Sequence, residues 1–188
     1  KSRMNNLLKI NNLSVFFNNG NNRFTAVNDI SFELNRGEIL GIVGESGSGK
    51  SLTALSILGL LPYPKAAHAP QSSITLEGTE LIDNPELRKY RGSRFGFIFQ
   101  EPMSSLNPLH TIEKQVAEVL LLHQKMTLKQ ARKEVLKLLM LTGIKNARKR
   151  MKAYPHELSG GQRQRVMIAI ATVSYTHLRA HETGRNLV

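Results

Sequence analysis

The sequence predicts an α/β protein, and three features of the 188-residue chain carry this prediction. Apolar residues alternate with polar ones over much of the first 35 positions, which indicates antiparallel β-structure. A short apolar run at residues 39–43 leads into a glycine-rich loop and a helical repeat of leucines. From residue 111 onward the apolar spacing is mainly helical. We therefore expect a β region, then a strand, loop and helix, and finally a helical region.

The strands are predicted from short apolar patterns. The first two patterns are expected to form a hairpin around an Asn-rich turn. The residues of the first are Leu8, Ile10, Leu13, Val15 and Phe17, and those of the second are Ile30, Phe32 and Leu34. Residues 39–43 are expected to form a buried strand, residues 74–76 a short strand, and residues 95–99 another apolar strand. Three prolines, at positions 62, 64 and 70, predict a loop before residue 74.

The helices are predicted from apolar stripes. Leu52, Leu55, Leu58 and Leu61 have helical spacing after the glycine-rich loop. Later stripes comprise Ile112, Val116, Val119 and Leu120, and then Leu128, Ala131, Val135, Leu138 and Leu139. Thr127 with Gln130 fits a capping box that begins the last of these helices, and Gly143 fits its stop.

Positive charge is concentrated in one part of the chain. Lys and Arg number 26 against 14 Asp and Glu, so the formal net charge is +12. Residues 125–165, the basic segment, hold 12 basic and 2 acidic residues and account for +10 of it. Two interpretations are open: a solvated helix face opposite an apolar stripe, or, at residues 145–152, a surface near anionic lipid headgroups.

Composition excludes several classes of protein. The chain has no Cys, so a disulfide scaffold, a Cys-ligated metal site and a thiol nucleophile are excluded within it. No apolar run approaches the roughly 20 residues of a membrane-spanning helix, and the first residues lack the pattern of a secretory signal. These features predict a soluble intracellular protein.

Residues 44–51, the phosphate loop, match the full pattern of a nucleotide phosphate-binding loop. Glycines let successive backbone N–H groups face phosphate oxygens, and the helix that follows adds the positive end of its dipole. A lysine supplies a mobile charge for the β- and γ-phosphates, and the next hydroxyl is a Mg²⁺ ligand. The predicted binding residues are Gly44, Glu45, Ser46, Gly47, Ser48, Gly49, Lys50 and Ser51.

A second motif, the signature segment, comprises Leu158, Ser159, Gly160, Gly161 and Gln162. Ser159 can cap a following helix, and two glycines at a helix start let backbone amides face an anion closely. By itself the segment is a flexible turn before a helix. Together with the phosphate loop it indicates a nucleotide site.

These motifs resemble those of the ATP-binding subunit of ABC transporters. The resemblance implies a P-loop NTPase (RecA-like) core with an antiparallel β subdomain and a helical signature subdomain, and it implies ATP and Mg²⁺ as cofactors. It also implies two nucleotide domains paired head to tail, so that the signature segment of one chain covers the γ-phosphate held by the other. Residues 1–171 are then a partial nucleotide-binding domain, incomplete at the C-terminus, with residues 102–165 as the mainly helical subdomain.

Two further residues take their roles from the resemblance alone. Gln100 resembles the Q-loop glutamine, which touches Mg²⁺ and the attacking water, so it is expected to be catalytic and to bind the metal together with Ser51. Phe17 resembles the aromatic residue that stacks on adenine. Phe16 is adjacent, and a core Phe is the equal alternative for this position.

Three blocks narrow the resemblance to importers of dipeptides and oligopeptides, a branch that includes nickel importers. The blocks are residues 44–51, 100–108 and 154–162. The resemblance implies a second nucleotide-binding subunit and integral-membrane permease subunits as partners, with an extracytoplasmic solute-binding protein acting indirectly and no nucleic acid. It implies a peripheral position on the cytoplasmic face of the cell membrane.

The sequence departs from the resemblance after residue 171. The family continues into an apolar strand ending in Asp-Glu and, later, a His, whereas no Asp follows residue 83 here. Residues 173–188 resemble a translated sequencing adapter, so residues 172–188 are expected to be a non-native tail, and Met4 is expected as the natural start. The full-length protein is expected to hydrolyse ATP, and this chain is not. A zinc site at His177 and His181 is rejected because these residues belong to the tail.

Two other classes of function stay open at this point. One is a soluble ABC-type ATPase acting on nucleic acid or ribosomes, for which the basic segment is a nucleic-acid surface. The other is a non-catalytic interaction module.

Overall fold

The computed structural model describes residues 6–20, 22–99, 105–124 and 126–183, with Asn19 and residues 174–183 described by their backbone alone. The chain divides into two compact units, Lys1–Arg88 and Lys89–Val188. The first unit holds the sheet and the phosphate loop, and the second holds most of the helices. Within the described ranges, no helix is both long and apolar enough to cross a membrane.

The first unit is built on an antiparallel sheet of five described strands. They are β1 (Asn6–Asn19), β2 (Asn22–Asn35), β3 (Ala66–His68), β4 (Ser73–Leu76) and β5 (Thr79–Glu80). The order across the sheet is β2, β1, β4, β5, and β3 also pairs with β1. The predicted hairpin and the predicted short strand at residues 74–76 are confirmed as β1 with β2 and as β4. Strand β3 lies where three prolines predicted only a loop.

A bulge explains why the apolar period of β1 is not strictly two. Ile10 and Leu13 are both fully buried although they are three positions apart, and the pairing register shifts between them. Asn12 has a φ of 46°, and its backbone N–H donates to Ser31 Oγ at 2.8 Å. The extra residue returns the side chains that follow it to the core face of the sheet.

Two predicted strands do not form in the described part of the chain. Residues 39–43 adopt no strand, and Ile39 and Val43 are 97% and 92% exposed. At residues 95–99 the pairing is limited to one bridge between Arg91 and Phe95. A strand is stable when neighbouring strands satisfy its backbone groups, and the described residues provide no such neighbour. The predictions of a buried strand at 39–43 and of an apolar strand at 95–99 are therefore wrong for this structure.

Six described α-helices and one 3₁₀ turn complete the fold. They are α1 (Lys50–Ile57), α2 (Leu87–Tyr90), α3 (Ile112–Gln124), α4 (Leu128–Leu141), α5 (Ala147–Arg150), the 3₁₀ turn Pro155–Glu157 and α6 (Gly160–Thr183). The predicted capping box of Thr127 and Gln130 begins α4. Gly143, with a φ of 75°, follows its end as expected.

The core of the second unit lies between α3, α4 and α6. Its fully buried side chains include Ile112, Val116, Leu120, Val135 and Val166. Both predicted apolar stripes therefore face this core, with one correction. Leu128 is 70% exposed, because it is the first residue of α4 and the buried stripe begins one turn later, at Ala131.

Candidate nucleotide-binding site

The phosphate loop connects the exposed segment at residues 39–43 to α1. Helix α1 begins at Lys50, within the predicted phosphate loop, and its N-cap is Gly49 with a φ of 87°. Gly47 also has a positive φ, of 83°. Only glycine adopts such angles without strain, so these two glycines let the chain curl at the start of the helix.

The ammonium group of Lys50 folds back into the loop. Its Nζ donates to the carbonyl oxygens of Gly44 and Glu45, both at 2.7 Å, and to Ser48 Oγ at 3.1 Å. The positive charge is thus held at the centre of the loop by three neutral acceptors, which a phosphate can replace. An anionic phosphate forms charge-assisted hydrogen bonds, which are stronger than those to neutral acceptors.

The start of α1 presents hydrogen-bond donors that are not used within the described chain. The backbone N–H groups of Gly49, Lys50 and Ser51 donate to no other described residue, as expected for the first turn of a helix. The Ser51 hydroxyl likewise has no described partner, and Ser51 is exposed. This set of amides, one ammonium and one hydroxyl fits a phosphate chain with Mg²⁺ on the hydroxyl oxygen.

Packing fixes the loop against β2. A β-carbon placed on Gly49 would lie 2.7 Å from the carbonyl oxygen of Ala26 and 2.9 Å from Val27 Cγ2. A β-carbon on Gly44 would lie 2.7 Å from Ser48 Oγ. Glycine is therefore required at position 49, where the obstacle is backbone, whereas at position 44 the obstacle is a side-chain hydroxyl that can rotate away.

The two candidate aromatic residues for adenine differ in their surroundings. Phe16 is 9% exposed, and the guanidinium carbon of Arg23 lies 3.1 Å from its ring centroid. Phe17 is half-buried and pairs across the hairpin with Phe24, which is 68% exposed. Val15, two residues earlier, pairs with Val27 beside the phosphate loop. Of the two rings, Phe17 is the more exposed.

The signature segment lies in the second unit, at the start of α6. Ser159 and Gln162 form reciprocal hydrogen bonds: Gln162 N–H donates to Ser159 Oγ at 3.4 Å, and Ser159 N–H donates to Gln162 Oε1 at 3.2 Å. Leu158 is buried, and its carbonyl accepts from Arg163 Nε at 3.0 Å. Ser159 is thus the helix cap, as predicted. The partner role of Gln162 was missed, although Ser and Gln three positions apart are a capping-box pattern.

The two glycines of the signature segment have no packing requirement of their own. Gly160 and Gly161 are exposed, and a β-carbon on either would meet no atom of the described residues within 4 Å. They differ in this respect from Gly49. Gln100, the predicted catalytic and metal-binding residue, lies outside the described residues.

Comparison with known proteins agrees with these features. The family model described as "ABC transporter" matches residues 27–179. A protein of Agrobacterium fabrum, "Peptidoglycan transport ATP-binding protein YejF", is 56% identical over 88% of this chain and 30% of its own length. "Oligopeptide transport ATP-binding protein OppD" of Escherichia coli is 48% identical over 88% of this chain and 49% of its own length. The chain thus spans half or less of the length of these relatives.

A solved structure gives the same result for the fold. It is an ATP-binding cassette in a dimeric, post-hydrolysis state bound to ADP and Pi, and it matches 90% of this chain and 70% of its own with a TM-score of 0.77 and 30% sequence identity. This confirms the predicted fold class, a P-loop NTPase core with an antiparallel β subdomain and a helical subdomain. The protein therefore belongs to the ABC transporter family of ATP-binding cassettes.

Proposed function

We propose that this chain is the nucleotide-binding part of a subunit that uses ATP to drive peptide import. The observation that carries the proposal is the phosphate loop, in which Lys50 and the unused amides at the start of α1 converge. The relatives are named as transport ATP-binding proteins for oligopeptides and peptidoglycan, which supports the transport role.

The roles of the loop residues follow from their chemistry. Lys50 neutralises the β- and γ-phosphates, the amides of residues 49–51 donate to phosphate oxygens, and the Ser51 hydroxyl binds Mg²⁺. ATP supplies a phosphoryl group whose transfer to water depends mainly on positioning and charge neutralisation. Phe17 supports the adenine ring, and Gln100 contacts the metal and the attacking water.

The signature segment acts on the nucleotide of a second subunit. Because no described residue of this chain approaches a β-carbon position on Gly160 or Gly161, their lack of side chains serves the close approach of an external group. The cap at Ser159 holds the first turn of α6, and the amides of this turn receive the γ-phosphate of a partner subunit. The dimeric state of the solved cassette supports such pairing.

The transported solute is proposed to be a dipeptide or oligopeptide, with nickel as the other solute of this branch. The remaining partners are integral-membrane permease subunits and, indirectly, an extracytoplasmic solute-binding protein, and the subunit lies peripherally on the cytoplasmic face of the membrane. The names of the relatives given above mention neither nucleic acid nor ribosomes, so the alternative of a soluble ATPase acting on nucleic acid or ribosomes has no support.

We also propose that residues 172–188 are not native and that the acidic residues needed for hydrolysis belong to the natural continuation of the chain. The exposed apolar segment at residues 39–43 supports this, because strands from such a continuation would cover it. Steady phosphate release by the purified chain is expected not to exceed that of a Lys50→Ala control. Release above the control would contradict the proposal.

Transport is tested with the full-length protein and its permease in proteoliposomes. ATP enclosed with the nucleotide-binding subunit is expected to drive accumulation of a labelled oligopeptide, and Lys50→Ala is expected to abolish it. Accumulation that is independent of ATP, or that is retained in Lys50→Ala, would contradict the assignment.

A further inference from the structure

A wide groove lies in the second unit, and none of its lining residues is assigned to nucleotide binding. It has a volume of about 1390 Å³ and is bounded by the end of α4, by α5 and by the chain that leads to the 3₁₀ turn. Small-molecule pockets typically have volumes of roughly 300–1,000 Å³. The groove is therefore larger than a site for a small ligand needs to be.

The rim of this basic groove carries an excess of positive charge. Five cationic side chains line it against a single acidic one, Glu157: they are Lys145, Arg148, Lys149, Arg150 and Lys152. None of the five forms an ion pair with a described residue. Arg150 only donates to the backbone carbonyl of Glu157, at 3.3 Å. The charges on this rim are thus uncompensated within the described chain.

The floor of the groove is apolar. Leu136 and Met140 of α4 contribute to it, together with Ile144, Ala147 and Ala153. Met140 is 63% exposed, whereas Ile144 is buried at 4%. An apolar floor below a cationic rim is an amphipathic surface. Binding of a partner to it is favoured by burial of apolar area on the floor and by charge pairing at the rim.

The groove is held in place by its surroundings. Arg165 Nη1 donates to the carbonyl oxygen of Gly143 at 2.6 Å. The N–H groups of Ile112 and Glu113 donate to the carbonyl oxygens of Ala153 and Met151, both at 2.9 Å. These bonds tie both ends of the groove to α6 and α3, so a partner binds to a preformed surface and loses less free energy in ordering it.

We propose that the basic groove binds an acidic, amphipathic segment of a partner polypeptide, with the apolar face of the segment on the groove floor. A phosphate backbone does not match an apolar floor, since it presents charged oxygens throughout. A lipid bilayer presents a flat surface of headgroups, which does not fill a concave groove. The inference goes beyond the proposed ATPase function and does not depend on nucleotide.

The test is a fluorescence anisotropy titration of the whole chain with a labelled amphipathic peptide of Glu and Leu. The removal of two rim charges in K145Q/K149Q is expected to weaken binding about tenfold at low salt. The matched control K129Q/K133Q removes two exposed charges of α4 that do not line the groove. This control is expected to change the affinity less than about twofold.

A second pair of variants tests the floor. Met140→Glu places a negative charge in the groove and is expected to weaken binding about tenfold, while Leu141→Glu, at a residue that is 73% exposed and outside the groove, is expected to have little effect. Circular dichroism verifies that all variants are folded. Equal binding by groove and control variants would overturn the proposal. So would groove-dependent binding to phosphatidylglycerol vesicles without binding to the peptide, because the partner would then be a membrane.

Discussion

The α-carbon of Gly49 faces the carbonyl oxygen of Ala26 so closely that a β-carbon would lie 2.7 Å from that oxygen. Gly49 also has a φ of 87°, which is unfavourable for any residue with a side chain. The glycine that caps α1 is therefore required twice, by its conformation and by the approach of β2.

We predict opposite effects on stability for two Gly→Ala substitutions. Gly49→Ala is expected to lower the free energy of unfolding by about 2 kcal/mol or more, through backbone strain and a steric clash. Gly161→Ala, in open space on α6, is expected to raise it by up to about 1 kcal/mol, because alanine favours the helix. Urea denaturation of both variants measures this. A stable Gly49→Ala would contradict the packing described for the loop.

Substitutions of the two adjacent aromatic residues of β1 are predicted to have different effects, one on stability and the other on nucleotide binding. Phe16→Ala is expected to destabilise the chain by about 3 kcal/mol, since it removes a buried ring. Phe17→Ala is expected to leave stability less affected and to weaken the binding of a fluorescent ATP analogue. If Phe16→Ala alone reduced the affinity while the protein stayed folded, the assignment of the adenine contact to Phe17 would be wrong.

Two capped helices offer a matched comparison. Thr127→Ala and Ser159→Ala each remove a capping side chain and are expected to cost about 1 kcal/mol of stability. Only Ser159→Ala is expected to reduce ATP-dependent association of the full-length subunit, because only this cap belongs to the signature segment. Analytical ultracentrifugation with ATP and Mg²⁺ distinguishes the two. An equal loss of association in both variants would indicate a general effect of stability.

Glu80 is predicted to make the sheet sensitive to acid. Burial acts to raise the pKa of this carboxyl, but hydrogen bonds from Ser73 and from the backbone N–H groups of Ile82, Ile74 and Leu81 outweigh it and lower the pKa. The carboxylate therefore stabilises the fold at pH values above 4.5, the ordinary pKa of a Glu carboxyl. This contribution is lost as the pH falls through the lowered pKa of Glu80.

The measurement for Glu80 is the urea midpoint of the chain and of Glu80→Gln as a function of pH. The difference between the two proteins is expected to be largest near neutral pH and to shrink below pH 4.5. Glu45→Gln, at another exposed carboxyl of the first unit, is the control and is expected to show a smaller difference. A difference for Glu80→Gln that is independent of pH would contradict the role of the carboxylate.

Local patterns in the sequence predicted most of the candidate site. The phosphate loop, the cap at Ser159 and the capping box at Thr127 each depend on residues within a few positions of one another, so the sequence alone specifies them. The hairpin was predicted for a similar reason, although the bulge at Asn12 is visible only as an irregular period.

Features that depend on distant residues were not predicted correctly. Residues 39–43 have the composition of a buried strand, but strand formation requires neighbours that the described chain lacks. The openness around Gly160 and Gly161 and the concave shape of the basic groove arise from tertiary packing. The sequence showed the positive charge of residues 145–152 and gave no sign that an apolar floor lies below it.

The central claim is that the phosphate loop binds ATP, and its most direct test is equilibrium binding of ATP to the purified chain in the presence of Mg²⁺. The account predicts saturable binding of one ATP per chain. It predicts that Lys50→Ala weakens this binding at least tenfold, that is, by about 1.4 kcal/mol or more, while Lys65→Ala does not change it. Absence of saturable binding, or equal affinity in the chain and in Lys50→Ala, would contradict the account.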